Sequence, residues 1–400
     1  MRRVRLKEIG TFYSGLSGKS KSDFSEGNAL LVTYRNIFNN PVLNPAIKDT
    51  VVVGKDEKQN EVLWGDILIT GSSETPADAG MSSVVLFNPQ EKMYLNSFCF
   101  GFRLNDMNEA LPSYIGHLLR STSIRAAISK TAFGVTRFNV NRMRFADIEI
   151  PLPPLNIQKE IVSILDSFTS LIDKMKQEVE MRKKQMMYYI DKFYGGDFDG
   201  MMRLADIPGN SVVQFSDLGP IIRGKRFVRD DIRTEGQPCI HYGDMYTYYG
   251  TMAVTAKTFL ERDFPKKMRY AHKGDVVIVG AGENDYDIGV GLVWMGEEPA
   301  VVHDACYILK HHQIPMYISY YLRSNIYHQQ LKKYVSSGKI SSFSAEGLGK
   351  VYIPIQPEDK QRQIASILDT FETYISKQEK MIELRQKQYE YYREKLLTFE

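Results

Sequence analysis

Two stretches of this chain carry apolar residues at alternating steps of three and four. The first runs Ile161, Leu165, Phe168, Ile172, Met175, Val179, Met186, Tyr189 and Phe193, about five heptads with Arg182 the one polar exception. The second runs Ile364, Leu368, Phe371, Ile375, Ile382, Tyr389, Tyr392 and Leu396, with Gln378 and Arg385 as exceptions. A 3.5-residue stripe on otherwise polar sequence predicts a long helix with a coiled-coil seam, and the two helices are each other's obvious partners. Upstream prolines (Pro151, Pro153, Pro154; Pro354, Pro357) fix an extended entry and forbid an earlier start, and Gly195-Gly196 stops the first helix. A helix of about 36 residues is on the order of 54 Å long. An antiparallel pair of that length would form a rod with one globular domain near each end. Tyr188-Tyr189 and Tyr391-Tyr392 fall at heptad spacing and are expected to pack.

The two stripes are copies of one another. Residues 150–193 (IPLPPLNIQKEIVSILDSFTSLIDKMKQEVEMRKKQMMYYIDKF) overlie 353–396 at an offset of 203 with no gap, and 19 of the 44 aligned positions are identical. The offset is about half the chain, so the molecule is a tandem duplication, and its activity is expected to be carried out twice. Outside the helices the copies diverge but align in places. VLWGDILIT (62–70) matches HKGDVVIVG (272–280), YRNI (34–37) sits opposite YGDM (242–245), and YIGHLLRS (114–121) matches YISYYLRS (317–324). Short β-branched runs split by Gly and Asn turns predict a β-rich domain, while the YI…LRS segments read as helices. The expected fold class is α+β: two tandem β-rich domains, each followed by a long helix, the helices pairing as an antiparallel coiled coil. The boundaries are 1–149 and 197–352 for the domains, and 150–196 and 353–400 for the helical segments.

Composition narrows the setting. Three cysteines (Cys99, Cys239, Cys306) are too few for a disulfide framework and fit a reducing cytosol. There is no apolar run long enough for a membrane span, and the basic start MRRVRLKEIG is not followed by a signal core, so a cytoplasmic protein is expected. A net charge of +3 does not announce a polyanion partner. The charge is instead arranged locally. No acidic residue lies between Glu109 and Asp147, a window holding Arg120, Arg125, Lys130, Arg137, Arg142 and Arg144. None lies between Asp304 and Glu346, a window with Lys310, Arg323, Lys332, Lys333 and Lys339. The windows occupy equivalent places, each just upstream of its IP motif. Excluding carboxylates while keeping Lys and Arg suits a surface that approaches phosphates. Both windows end in polar loops of small residues, FGVTRFNVNRMR (133–144) and SSGKISSFSAEG (336–347), whose groups suit sugar-phosphate and base edges. The cluster RGKRFVR (223–229) adds charge to the second half, opposite SGLSGKSKSDF (14–24) in the first.

Several catalytic or ligand motifs are absent or incomplete. GLSGKS (15–20) resembles the end of a P-loop, but the glycine the motif requires at position 13 is Tyr13. Gly280-Ala-Gly282 follows an apolar strand, yet position 285 is Asp, so the dinucleotide fingerprint fails. His303, Cys306, His311 and His312 lack the paired C-x-x-C of a zinc site. No Ser/His/Asp constellation appears, and the one Pro-Pro (LPPLN) does not fit the motif that holds a flipped adenine. No metal, cofactor or catalytic residue is expected in this chain.

IPLPPLNIQKEIVSILD (150–166) and its echo IPIQPEDKQRQIASILD (353–369), each after a GDI or GDV strand and before a long helix, resemble the DNA-specificity subunit of type I restriction-modification systems. The resemblance covers the whole chain; Gln356 and Glu358 depart from Pro153 and Leu155 of the first motif. It implies two target-recognition domains, each reading half of a split double-stranded DNA site, with helices setting the gap. It also implies that catalysis lies in partners. Two copies of a modification subunit would methylate adenine with S-adenosylmethionine, and a restriction subunit would use ATP and Mg.

Phosphate contacts are expected from the acid-free windows and base readout from loops at 70–83, 133–144, 279–291 and 336–343. The candidate DNA-binding residues are Lys19, Arg35, Ser73, Arg137 and Asn139 in the first half, and Arg223, Lys225, Arg226, Asn284, Lys339 and Ser341 in the second. Two rivals stand beside this reading: a self-contained DNA-modifying enzyme with an unrecognised site, which would bind S-adenosylmethionine alone, and a coiled-coil scaffold without a nucleic-acid role.

Overall fold

The structure is a computed structural model; it describes residues 2–24, 26–264, 267–282, 288–336, 338 and 340–399. The chain divides into two compact units, Met1–Met175 with Met381–Glu400, and Lys176–Lys380. Helices form where the stripes predict them, over Leu155–Phe193 and Glu358–Leu397. Each starts directly after its prolines. The first ends at glycines with φ of +112° (Gly195) and +83° (Gly196), a conformation in which a side chain would be strained. The units cut across the expected domain boundaries, because each long helix gives its two halves to different units.

In unit 1 the central antiparallel sheet runs in the order Gly10–Ser14, Cys99–Leu104, Ile67–Thr70, Ser82–Val84. The strand Ile67–Thr70 is buried at every position, so both faces are covered and Ile67, Leu68 and Ile69 follow one another without polar alternation. A smaller sheet of Thr50–Val51, Ala29–Val32 and Met93–Leu95 stands beside it. Unit 2 repeats the order with Ile221–Arg223, Cys306–Leu309, Val276–Val279 and Gly291–Trp294, and adds Met252–Ala253 in parallel at the edge. The Gly-Asp pairs are structural. Gly65 and Gly274 make the turn at φ of +85° and +91°. Asp66 then accepts from Arg103 through two nitrogens, both at 2.7 Å, and Asp275 accepts from Lys310 at 2.8 Å.

The joint between each domain and the helix that follows it is built twice from equivalent residues. Gln158, fully buried, accepts from the Leu111 N–H (2.9 Å) and donates to the carbonyls of Glu109 and Pro153 (2.9 Å each). Gln361, 203 positions later, accepts from the Ile314 N–H (3.1 Å) and donates to Gln356 O (2.8 Å) and Gln313 Oε1 (2.7 Å). Tyr114 donates to Pro151 O at 3.0 Å, and Tyr317 to Pro354 O at 2.8 Å. A second joint uses carboxylates at helix N-termini, where the free N–H groups and the dipole favour negative charge. In unit 1 Glu394 accepts from the Thr122 N–H (2.9 Å), and in unit 2 Asp191 accepts from the Asn325 N–H (2.8 Å).

All the predicted seam residues are buried or half-buried. In unit 1 Phe168 stacks on Tyr392 with centroids 5.4 Å apart. In unit 2 Tyr189 lies 5.6 Å from Phe371, Tyr374 donates to Glu178 (2.6 Å), and Lys183 pairs with Glu379 (2.8 Å). The packing expected of both tyrosines in each pair falls only on the second. Tyr188 and Tyr391 are each 60% exposed, because adjacent helical residues point about 100° apart.

Replacing Gln361 by Ala strands the Ile314 N–H and two acceptors, Gln356 O and Gln313 Oε1, so it is expected to destabilise unit 2 by about 1–3 kcal/mol. Gln158→Ala should do the same to unit 1. Denaturant unfolding followed by hydrogen exchange in each unit measures both.

Candidate nucleic-acid interface

In unit 1 a short sheet assembles three of the predicted residues. Ser72–Ser73 pairs antiparallel with Phe138–Val140, which pairs with Ala132–Phe133, so Ser73 faces Phe138 in register and Asn139 faces Ser72. The loop between the last two strands turns at Gly134 (φ +139°) and exposes Arg137, and Asn139 is exposed on the strand that follows. Arg137 Nε donates to Ser72 Oγ at 3.0 Å, and its guanidinium lies 5.1 Å from the Phe98 ring centroid. A cation resting on an aromatic face while hydrogen-bonded through one nitrogen has its remaining N–H groups aimed outward. Arg35 is exposed on the helix Tyr34–Asn39, whose N-terminus is capped by Thr33. Tyr34 and Phe38 of that helix, with Ser73, Glu74, Phe98 and Arg137, line a cleft of about 600 Å³. Lys19 is placed differently. Its side chain is largely covered and pairs with Glu57, whose carboxyl is held at about 2 by Lys19 and Gln59.

Unit 2 presents another surface. Arg223, Lys225 and Arg226 are exposed at and beyond the strand Ile221–Arg223, with Arg223 Nε donating to Asp304 O at 2.8 Å and the Lys225 N–H to Val302 O at 2.9 Å. The next residue, Phe227, is buried against His303 at 4.9 Å, and His303 lies 4.7 Å from His241. The Ala305 N–H donates to His303 Nδ1, so Nε2 carries the proton toward Phe227 O (3.2 Å) and pins the basic loop. Ser341 is buried in a strand paired with Ala281–Gly282. Asn284 and Lys339 lie outside the described residues. Among the described residues no group of His, Cys, Asp and Glu could hold a metal; Cys306 is buried beside Met245.

The acid-free windows are not uniformly phosphate-facing, which corrects the expectation drawn from charge. Arg120 donates to Ser82 O (2.8 Å), and burial lowers its guanidinium to about 10. Arg125 holds the carbonyls of Ala77, Ala79 and Gly80. Arg323, the counterpart of Arg120, donates to Gly291 O at 2.9 Å. Lys310 is held by Asp275. These cations tie helices to loop backbone. Tyr34, Phe38, Phe98, Glu74, His241 and His303 were not singled out from sequence for DNA contact. The YRNI and YGDM match pointed near Tyr34 and His241, and the expected base-reading loop 70–83 contains Glu74.

Comparison with known proteins fits this duplicated architecture. The chain matches the family described as type I restriction modification DNA specificity domain twice, over residues 1–181 and 209–386. It therefore belongs to that family, as a DNA-recognition chain and not an enzyme. It is 29% identical over 291 residues to a chain named as a type I restriction enzyme specificity subunit of Haemophilus influenzae, covering 66% of this chain and 68% of that one. It is 28% identical to the EcoR124I/EcoR124II specificity subunit of Escherichia coli, covering 63% of each. Among solved structures the fold is similar to the S subunit of a type I system from M. genitalium, with a TM-score of 0.54 at 15% identity, covering 100% of this chain and 96% of that one. A chain from a study of type I complex assembly gives 0.60 at 17%, covering 99% and 97%. No helix among the described residues is long and apolar enough to cross a membrane.

Burial lowers the proton affinity of His241, His303, His311 and His328, all in unit 2. Their folded values lie below the unfolded value of about 6.5, so the unfolded chain takes up protons first as pH falls. Stability of unit 2 is therefore expected to be full above about pH 6.5 and to decline below it. Unfolding midpoints measured from pH 7.5 to 5 check this. Arg120→Ala should lower the stability of unit 1, whereas Arg137→Ala should leave that stability within about 0.5 kcal/mol and weaken DNA binding. Calorimetry and salt-matched binding on one preparation separate the two roles.

Proposed function

We propose that each unit reads one half of a split, asymmetric double-stranded DNA target. On this reading the two long helices pair antiparallel as a coiled coil, set the gap between the halves and dock the modification subunit. The observation that carries it is a contrast at equivalent positions. The joints recur nearly unchanged, as Gln158 and Gln361 or Tyr114 and Tyr317 do. The outward positions do not recur: the exposed Arg137 corresponds to Ile340, the exposed Arg35 to the half-buried Gly243, and the half-buried Thr33 to His241. A retained frame with altered outward chemistry supports two different readers on one scaffold.

The antiparallel pairing is supported in unit 2 by contacts whose residue numbers rise on one helix as they fall on the other, Arg182 with Tyr374 and Tyr189 with Phe371, and in unit 1 the same two helices meet where Phe168 stacks on Tyr392. Docking of two modification subunits is supported by exposed apolar residues at the same places in both copies: Ile164 and Ile367, Met181 and Leu384, Tyr188 and Tyr391. In this proposal S-adenosylmethionine, ATP and Mg act on the modification and restriction partners, and this chain supplies their address.

Mapping N6-methyladenine in a host expressing the chain with its modification partner should yield a bipartite motif with unlike halves; a continuous motif would refute the reading. Removing one heptad from each helix, 172–178 and 375–381, should shorten the gap and leave both half-sites intact. Altered half-sites would separate the helices from the spacing role.

A further inference from the structure

We propose that the cleft of unit 1 is a receptor for a nucleobase bearing an exocyclic amine, adenine or cytosine, with Glu74 and Asp78 as its acceptors. The inference rests on the DNA-recognition reading above and specifies which chemical group one site of unit 1 takes. At about 600 Å³ the cleft is of the size that takes a small planar ligand group. Its aromatic walls are partly pre-covered. Arg137 lies against Phe98, and Phe38 stacks on Tyr34 at 5.7 Å, so each wall ring is held in place by a neighbour. Rings fixed in this way suit contact with a flat heteroaromatic group.

Charge decides which part of DNA fits. The lining holds two carboxylates and one guanidinium, so the net is 1 − 2 = −1. A phosphate would be repelled here, whereas an amine N–H donor is matched. The N4 amine of cytosine and the N6 amine of adenine are the donors that DNA bases present in the major groove, and carboxylates are their natural acceptors. The acceptors are available. Thr75 Oγ1 donates to Asp78 Oδ2 at 2.7 Å, which orients that carboxylate and leaves Oδ1. Glu74 is exposed and makes no ion pair or hydrogen bond among the described residues. With Nε engaged by Ser72, the terminal nitrogens of Arg137 remain for an adjacent acceptor such as a ring nitrogen or carbonyl.

The test uses the full chain assembled with its modification subunit and a duplex carrying the mapped target. Each adenine in the half-site read by unit 1 is replaced in turn by purine, and each cytosine by 2-pyrimidinone, analogues that lack only the amine. At one position the wild-type complex should lose about tenfold in affinity. The complex carrying Glu74→Ala and Asp78→Ala, which lacks both acceptors, should lose less than about twofold from the same replacement. Equal losses in both complexes, or no sensitive position, would overturn the proposal while leaving sequence-specific recognition standing. Failure of the wild-type complex to prefer the unmodified target over unrelated duplex would instead overturn the recognition reading itself. Analogues placed in the other half-site should affect both complexes alike, and a coupling found there would overturn the assignment to unit 1.

Discussion

A primary amide buried at the first turn of each long helix satisfies backbone or side-chain groups from the preceding domain and from the helix entry at once. Gln158 and Gln361 each accept one N–H and donate twice, so the helix can leave its domain in only one direction without stranding buried polar groups. Nearby, Tyr114 and Tyr317 repeat the constraint on the proline-fixed strand. The direction of the helix, and with it every contact along the seam, follows from these groups. That explains why divergence elsewhere leaves this corner intact: a surface loop can change its side chains freely, but a network with several mutually dependent hydrogen bonds cannot change one member alone.

The same corner shows how variation is tolerated where geometry permits. His117 meets Asp166 at 2.7 Å in unit 1, and Tyr320 meets the equivalent Asp369 at 2.7 Å in unit 2. Both side chains are flat and place a donor at similar reach, so the joint is kept with different chemistry. The outward positions face no such requirement, and there the units part company: an arginine resting on Phe98 in one, a histidine and phenylalanine cluster beside a basic loop in the other.

The helices, their stops and the duplication were legible in the sequence because periodicity and repetition are properties of residues close together or at a constant offset. Every seam residue read from the 3.5-residue stripe is at least half covered. The interface was legible only in part. Arg137, Asn139 and Ser73 meet on one small sheet, but charge alone could not show that Arg120 and Arg125 turn inward. Their partners are backbone carbonyls at position 37 and at 77–82, and a carbonyl leaves no mark on composition. Lys19 was hidden for a related reason: its partner Glu57 lies 38 positions away in a loop of no regular pattern. The cleft residues come from segments far apart in the chain, so no local motif could have assembled Tyr34, Phe98 and Arg137.

The division of the chain also orders its birth on the ribosome. Unit 2 is one continuous piece, Lys176–Lys380, while unit 1 joins Met1–Met175 to Met381–Glu400. Glu394, which caps the helix beginning at Thr122, and Tyr389, buried in the unit 1 core, are made only after the whole of unit 2. At 5–20 residues per second, the first domain waits on the order of 10–45 s after its own synthesis for the segment that closes it. The half encoded second is therefore the first to be complete. During that interval unit 1 shows the nascent chain's surroundings an apolar groove that its own final helix turns are destined to fill.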